Sequence, residues 1–112
     1  MVRVEGPRYN RTGTVIAVAD VAESVRLMEE DTPSFIRRWQ AFLAFLTDRL
    51  PQDGGCMHRS LGDGLMLEFA TPVACMRTAL AMQDWFRADN HPLPPERHVH
   101  LRIGAHLADF LR

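Results

Sequence analysis

The chain has 112 residues, the size of one domain or of part of one. Hydrophobic residues make up 46% and charged residues 24%, proportions that are typical of a packed core and argue against disorder. The formal net charge of −1 gives no basic face, so neither nucleic acid nor an anionic membrane surface is an expected partner.

The cysteines and the apolar runs indicate the compartment. Cys56 and Cys75 lack close metal-ligand spacing and are too few for a disulfide framework, so both are expected to be small buried hydrophobes. The apolar runs are much shorter than the ~20 residues of a membrane-spanning helix, and no signal segment opens the chain. These features predict a reduced, cytoplasmic protein without a membrane segment.

The first part of the chain predicts an arm, a strand and a short helix. Residues 1–13 contain glycine, proline and arginine without an apolar period, which predicts a flexible N-terminal arm. The run from Thr14 to Ala19 is nearly all apolar, which is typical of a central strand buried on both faces. It ends at Asp20, and a short helix is predicted over 21–30.

A long amphipathic helix is predicted next. Asp31 is a capping residue and Pro33 stands in the first turn. The apolar face has helical spacing and is expected to pack on a sheet, with members Phe35, Ile36, Trp39, Phe42, Leu43, Leu46 and Leu50. The opposite face is expected to contact solvent and carries Arg37, Arg38, Gln40, Thr47 and Asp48. Pro51 and the pair Gly54-Gly55 end this helix.

The remainder predicts a hairpin, a helix and a strand. Two short runs on either side of Gly62-Asp63-Gly64 are typical of a β-hairpin, and Thr71-Pro72 opens the next helix. After a proline-rich loop, a strand is predicted over 98–104, with apolar and polar side chains on opposite sides. The element order is that of an α+β, ferredoxin-like βαββαβ sandwich, an antiparallel sheet with the helices packed on one face.

Topology brings two carboxylates to one edge of the predicted sheet. Because the helical crossover after the first strand is right-handed, the following hairpin lies at the end of the sheet where Asp20 lies. Asp20 and Asp63 are therefore expected near each other, as an oxygen-preferring Mg²⁺ or Mn²⁺ requires. Another interpretation stays open, in which Asp63 is the Asp of an Asp-Gly turn and Asp20 is a helix N-cap.

Other candidate residues carry less weight. His98 and His100 face the same side of a strand, as zinc ligands do, but without a third ligand nearby they are interpreted as surface histidines. Trp39, Trp85 and the methionines at helical spacing are expected to pack in the core or at a dimer interface. Glu68 is expected to face solvent on its strand.

Four segments, in order, resemble the catalytic domain of class III adenylate and guanylate cyclases. The segment Val18–Met28 is similar to the family's opening, an apolar strand that runs into an Asp and often continues to Arg-Leu-Met. The segment Gly54–Phe69 is similar to the second motif, a Lys-Thr-x-Gly-Asp-Gly hairpin that closes on a Phe. Pro72–Gln83 resembles the following helix, and Leu101–His106 the strand after it. This resemblance assigns residues 14–112 to a partial cyclase catalytic domain.

The resemblance implies an activity and its cofactors. Such domains convert ATP to 3′,5′-cyclic AMP and pyrophosphate by two-metal catalysis, in cyclic-nucleotide signalling. Asp20 and Asp63 would hold two Mg²⁺ or Mn²⁺ ions at an interface between two catalytic domains. The expected partners are therefore a nucleoside triphosphate and either a second copy of the chain or a partner cyclase domain. Neither ATP nor GTP is excluded as the substrate.

The resemblance also implies contacts to the nucleotide. Backbone groups of a strand-to-helix junction and of the hairpin would contact the phosphates, at Val21, Ala22, Glu23, Ser24, Val25 and Gly62. Arg59 aligns with a family lysine that contacts the base, and a solvated hairpin arginine is the alternative interpretation. Glu23 stands where the family often has a glycine, so its carboxylate either faces solvent or weakens triphosphate binding.

The family's domain continues beyond the last strand predicted here. Its further helix and strands supply a second base-reading residue and the Asn and Arg that steady the ribose and the transition state. These have no counterpart after Arg112, and 107–112 departs from the usual Gly-Asp or Gly-Glu. We therefore expect an incomplete active site, which leaves enzymatic activity open. The alternatives are a non-catalytic nucleotide-binding or dimerisation module, and an unrelated ferredoxin-like ligand-binding domain.

Overall fold

The computed structural model describes residues 11–61 and 64–111, with side chains for 14–58 and 64–107. Its elements follow the predicted order: β1 Arg11–Val21, α1 Ser24–Glu30, α2 Thr32–Arg49, β2 Gly55–Leu61, β3 Gly64–Phe69, α3 Pro72–Asn90 and β4 Leu101–Leu111. Two 3-10 turns, Leu50–Asp53 and Pro95–Arg97, lie after α2 and before β4. In the described part of the chain, no helix is both long and apolar enough to cross a membrane.

The four strands form one antiparallel sheet in the order β2-β3-β1-β4. β1 lies between β3 and β4 and pairs antiparallel with both, while β2 pairs with β3 in the hairpin. Since β2 and β1 are both antiparallel to β3, they run in the same direction, as the right-handed crossover requires. The predicted α+β, ferredoxin-like class is confirmed.

One face of the sheet is covered by the helices. The odd-numbered residues of β1 from Val15 to Val21 are at most 5% exposed, because a strand presents alternate side chains to the same face. They pack with the apolar sides of the helices, in which Phe42 of α2 contacts Phe86 of α3 with 4.6 Å between ring centroids and a tilt of 38°. The helical spacing of the aromatic residues therefore predicts their burial correctly, but Ile36, expected on the same face of α2, is 42% exposed.

Local sequence signals set the ends of the helices. The Asp31 side chain accepts a hydrogen bond from the Ser34 amide at 3.1 Å at the start of α2. Gly54 ends the turn after α2 in the left-handed conformation, with φ of 68°. A Cβ on Gly55 would lie 2.5 Å from Cε1 of Phe69, so a glycine is needed where the backbone enters β2.

The structure corrects the expectation that Arg38 faces solvent. Its side chain is 12% exposed and donates hydrogen bonds from Nε to Asp89 at 2.6 Å and from NH2 to Asn90 at 2.8 Å. A third bond goes to the carbonyl of Arg97 at 2.7 Å. The segment that follows α3 folds back over α2, and this covers a position that helical periodicity alone assigns to the solvent side.

Two burial predictions are wrong for a common reason. Val18 is 47% exposed, so β1 is not buried on both faces, and Cys56 is exposed rather than buried. The long helices α2 and α3 lie on one side of the sheet, which leaves the other side uncovered at these two positions. Cys75 is buried as expected, and its burial raises the pKa of the thiol.

Three element boundaries also differ from the predictions. β1 begins at Arg11, inside the segment predicted as an arm, and residues 1–10 lie outside the described residues. α1 begins at Ser24 rather than at residue 21, because Ala22 still donates a backbone hydrogen bond to His100 at 2.9 Å. β4 begins three residues later than predicted and continues to Leu111. It is this longer β4 that pairs with the full length of β1.

Candidate functional site

Asp20 lies at the end of β1 where the β2–β3 hairpin turns. Its Cα partners are Gly64 on β3 and Arg102 on β4. Gly64 directly follows Asp63 in the sequence, so the strand register agrees with the predicted direction of the hairpin. Gly62 and Asp63 lie outside the described residues, and the metal-ligand role of Asp20 and Asp63 stays a prediction.

The Asp20 carboxylate is held by an arginine from the neighbouring strand. Arg102 Nε donates to Oδ1 of Asp20 at 2.8 Å, and the NH2 group of Arg102 lies 3.2 Å from Oδ2. The two side chains are 46% and 68% exposed, so solvent reaches the ion pair from the uncovered side of the sheet. Such exposed pairs contribute at most about 1 kcal/mol, so this ion pair adds little to the stability of the fold.

The prediction of Asp20 as a helix N-cap is wrong for α1. The N-cap of that helix is Glu23, and its side chain caps no backbone amide. Glu23 has φ of 55° and ψ of 39°, the left-handed conformation that favours glycine. This backbone geometry gives a physical reason for a glycine at the position, independent of any ligand.

The strand-to-helix junction is open to solvent at several of its predicted phosphate-contact positions. Val21 is buried, whereas Glu23 and Val25 are exposed and Ala22 and Ser24 are half-buried. The Glu23 carboxylate is 71% exposed and lies 3.7 Å from Nε of Arg26. Of the two outcomes foreseen for Glu23, the structure shows the carboxylate turned towards solvent.

The two candidate histidines lie just before β4, and the backbone carbonyl of His100 accepts the hydrogen bond from Ala22 at this edge. The Arg59 side chain lies outside the described residues, so its base-contact role stays a prediction. His98 places Nε2 2.8 Å from the carbonyl of Leu93, and the His98 and His100 rings are 6.1 Å apart. Within the described side chains, these two histidines join no group of three metal-ligating residues.

A different group of ligating residues lies on the hairpin and was not predicted. Cys56, His58 and Glu68 bring a sulfur, an imidazole nitrogen and a carboxylate oxygen within 4.8 Å of one another. Glu68 does not simply face solvent, because its Oε1 lies 2.5 Å from Nε2 of His58. The spacing of Cys56 and His58, two residues apart on a strand, is the signal in the sequence that would have placed them on one face.

Comparison with known proteins identifies a relative in sequence. No family model matches the chain. An alignment over 100 positions, which covers 86% of the chain, shows 34% identity to the protein named "Putative adenylate cyclase 3" of Rhizobium meliloti (strain 1021). The match covers 16% of that protein, so the chain spans a small part of the length of this relative.

Solved structures show the same fold. The adenylate/guanylate cyclase/hydrolase from Silicibacter pomeroyi matches 91% of the chain with a TM-score of 0.77 and 27% identity, over 60% of its own length. The guanylate cyclase domain of RhGC from Catenaria anguillulae, solved in complex with GTP, matches 89% of the chain and 59% of its own length with a TM-score of 0.71. At 10% identity, the second match shows the fold alone.

Proposed function

From the confirmed resemblance to class III adenylate/guanylate cyclase catalytic domains, we propose that this chain is the metal- and phosphate-binding portion of a nucleotide cyclase domain. The substrate would be ATP, and the products 3′,5′-cyclic AMP and pyrophosphate. The observation that carries the proposal is the register that sets Asp20 opposite Gly64, beside the Gly-Asp-Gly hairpin. Its biological setting would be cyclic-nucleotide signalling in the cytoplasm.

The chemistry of Asp20 fits a divalent metal ion. Its carboxylate is a hard oxygen donor, sits at a strand end and is exposed on the uncovered side of the sheet. Asp63 would be the second ligand. Bound Mg²⁺ or Mn²⁺, two ions per site, would supply activation of the ribose 3′-hydroxyl and neutralisation of charge on the phosphates.

Arg102 would neutralise and orient the Asp20 carboxylate before a metal ion binds. The guanidinium neutralises the carboxylate through two contacts, which keeps the side chain oriented towards β4. Because the pair is exposed, Asp20 exchanges Arg102 for a cation without burying an unpaired charge. Arg102, once released, would present its donors to the same solvent-filled edge.

The junction after β1 would receive the phosphates. α1 has no acidic residue in its first turn and no side-chain cap, so no carboxylate from the helix itself competes for the backbone amides. Ser24 and Val25 stand at the start of this helix, where amide groups and the helix dipole favour an anion. The exposed Glu23 carboxylate is directed to Arg26, which limits its repulsion of a triphosphate.

The proposed active site is shared with a second domain. A homodimer or a partner cyclase domain would supply the groups that read the base and steady the transition state. The uncovered side of the sheet carries exposed apolar side chains, Val18 at 47% and Met66 at 37%, that a second domain would cover. The same exposed apolar side chains favour a second candidate function, that of a dimerisation or nucleotide-binding module that does not turn over substrate.

The test is Mn²⁺-dependent conversion of ATP to cyclic AMP, with this chain alone and with the remainder of a related cyclase domain added. Product that disappears in both Asp20→Asn and Asp63→Asn supports the proposal. As a matched control, Asp84→Asn removes an exposed carboxylate that is paired with Arg87 at 2.6 Å on α3, and it should leave product formation unchanged. Folded protein that binds nucleotide but forms no product in either mixture would favour the second candidate.

A further inference from the structure

The β2–β3 hairpin carries a second set of ligating side chains, separate from Asp20. Cys56 and Glu68 are Cα partners on β2 and β3, and His58 follows Cys56 by two residues. Glu68 lies four residues along β3 from Gly64, the partner of Asp20, which is about 13 Å at the rise of a strand residue. At that separation, one ion cannot be shared between the two sets.

A bulge in β2 lies at His58. Met57 pairs with Leu67 and Arg59 pairs with Met66, so His58 is the extra residue that the partner strand does not match. Regular pairing would set His58 opposite Met66, two residues from Glu68 on the same face of the sheet. Bulges re-aim side chains, and here Nε2 of His58 lies 2.5 Å from Oε1 of Glu68 and 3.9 Å from Sγ of Cys56.

The spacing of the three donor atoms is close to what a tetrahedral ion needs. Metal-ligand distances of about 2.0 to 2.3 Å place neighbouring ligand atoms about 3.4 to 3.6 Å apart. The imidazole and the carboxylate would separate by roughly 1 Å, and the thiolate would approach the imidazole by a few tenths of an ångström. The thiolate and the carboxylate, which lie within 4.8 Å, would approach each other by up to about 1 Å. His58 is 47% exposed and Cys56 is exposed, so rotation of these side chains makes that adjustment without repacking the core.

The donor set selects a different class of metal from the Asp20 site. Thiolate and imidazole are ligands that borderline ions such as Zn²⁺ prefer, whereas Mg²⁺ takes oxygen ligands. We propose that Cys56, His58 and Glu68 bind one Zn²⁺-class ion per chain, with the fourth coordination position taken by water. The ion would join β2, the edge strand, to β3 and so stabilise the hairpin that leads to Asp63.

The test uses Co²⁺ as a spectroscopic probe of the full 112-residue chain under reducing conditions. We expect one thiolate-ligated Co²⁺ per chain, with a thiolate-to-cobalt charge-transfer band in the near ultraviolet and tetrahedral bands in the visible, both lost when Zn²⁺ is added. Residues that only orient a metal ligand change metal affinity by about 10- to 100-fold, so loss of the ligand itself in Cys56→Ser should weaken binding at least about 100-fold.

Matched variants show whether the band comes from this site. Cys75→Ala removes the other thiol, which is buried on α3, and should retain the charge-transfer band. Asp20→Asn should also retain it, which distinguishes this site from the proposed cyclase metal site. Circular dichroism confirms that each variant is folded. Absence of the band in the unmodified chain, its persistence in Cys56→Ser, or a stoichiometry of one ion per two chains would overturn the proposal.

Discussion

The two sides of the sheet differ in what they contribute to this molecule. The helix-covered side holds the apolar core, in which Phe42 and Leu46 are 0% exposed, although Leu107 of β4 on that side is 69% exposed. The uncovered side carries Asp20 with Arg102, and Cys56 with His58 and Glu68, among exposed apolar residues. Fold and chemistry are therefore separable here. Substitutions on the covered side should change stability, and those on the uncovered side should change ligand binding.

The greatest loss of stability is expected at Phe42. Phe42→Ala removes a fully buried ring that packs against the rings of Trp39 and Phe86, and should lower the free energy of unfolding by about 3 to 5 kcal/mol. Val18→Ala, on the uncovered side and 47% exposed, should lower it by less than about 1 kcal/mol. Urea denaturation measures both, and equal losses would contradict the division between the two sides.

A smaller loss is expected at Arg38, the charged side chain that joins α2 to the end of α3. Arg38→Ala leaves Asp89 and Asn90 without their donor and should cost about 2 kcal/mol. The neighbouring Arg37→Ala, exposed on the same helix, should stay within about 0.5 kcal/mol of the unmodified chain. Arg38→Lys should not restore the loss, since lysine lacks the planar fork that reaches three acceptors. If Arg38→Lys were as stable as the unmodified chain, the positive charge alone, and not the planar guanidinium, would account for the stabilisation.

The covered side also predicts a dependence of stability on pH. Hydrogen bonds from Arg49 and Thr78 hold the pKa of Asp53 below its usual value. The carboxyl group therefore binds its proton more weakly in the folded state, and its contribution is complete above the unfolded pKa of about 4. It is lost as the pH falls through the lower folded pKa.

Comparison with Asp53→Asn isolates this contribution. At pH 7 the variant should be less stable by about 1 kcal/mol, because the charged hydrogen bonds are weakened. At pH 3 the difference in stability between the two proteins should narrow, since the Asp53 carboxyl group of the unmodified chain is then largely protonated in the unfolded state. Denaturant titrations at the two pH values measure it. A difference that stays constant between them would show that the hydrogen bonds do not act through the ionised carboxylate.

The smallest change is a gain in stability beside Asp20. Glu23→Gly relieves the left-handed conformation at φ of 55° and should raise the free energy of unfolding by about 0.5 to 1 kcal/mol. Ala22→Gly, at the preceding residue, should instead lower the free energy of unfolding by a similar amount. At that position glycine relieves no strain and only increases the conformational entropy of the unfolded chain. Thermal denaturation compares the pair. Loss of stability in both would show that Glu23 is unstrained.

The packing on the covered side can be predicted from the sequence more fully than the side-chain contacts on the uncovered side. Helical spacing predicts the buried aromatic residues of α2 and α3, and the Asp-Gly pair predicts the hairpin. The same spacing also assigns to the apolar sides four residues that are exposed, namely Ile36, Val73, Met76 and Leu80. Burial of Arg38 depends on the path of the segment after α3, which periodicity does not encode. Strand direction predicts where Asp20 lies, but the Arg102 contact and the Cys56, His58 and Glu68 group depend on cross-strand register, including a bulge.

The role of Asp20 as a metal ligand for nucleotide binding can be tested by titrating the chain with a fluorescent ATP analogue at saturating Mn²⁺ and without it. We expect Mn²⁺-dependent binding that is lost in Asp20→Asn and retained in Asp84→Asn. Binding that is independent of Mn²⁺, or that survives Asp20→Asn unchanged, would contradict this role and leave the Asp20–Arg102 pair as a surface contact between two strands.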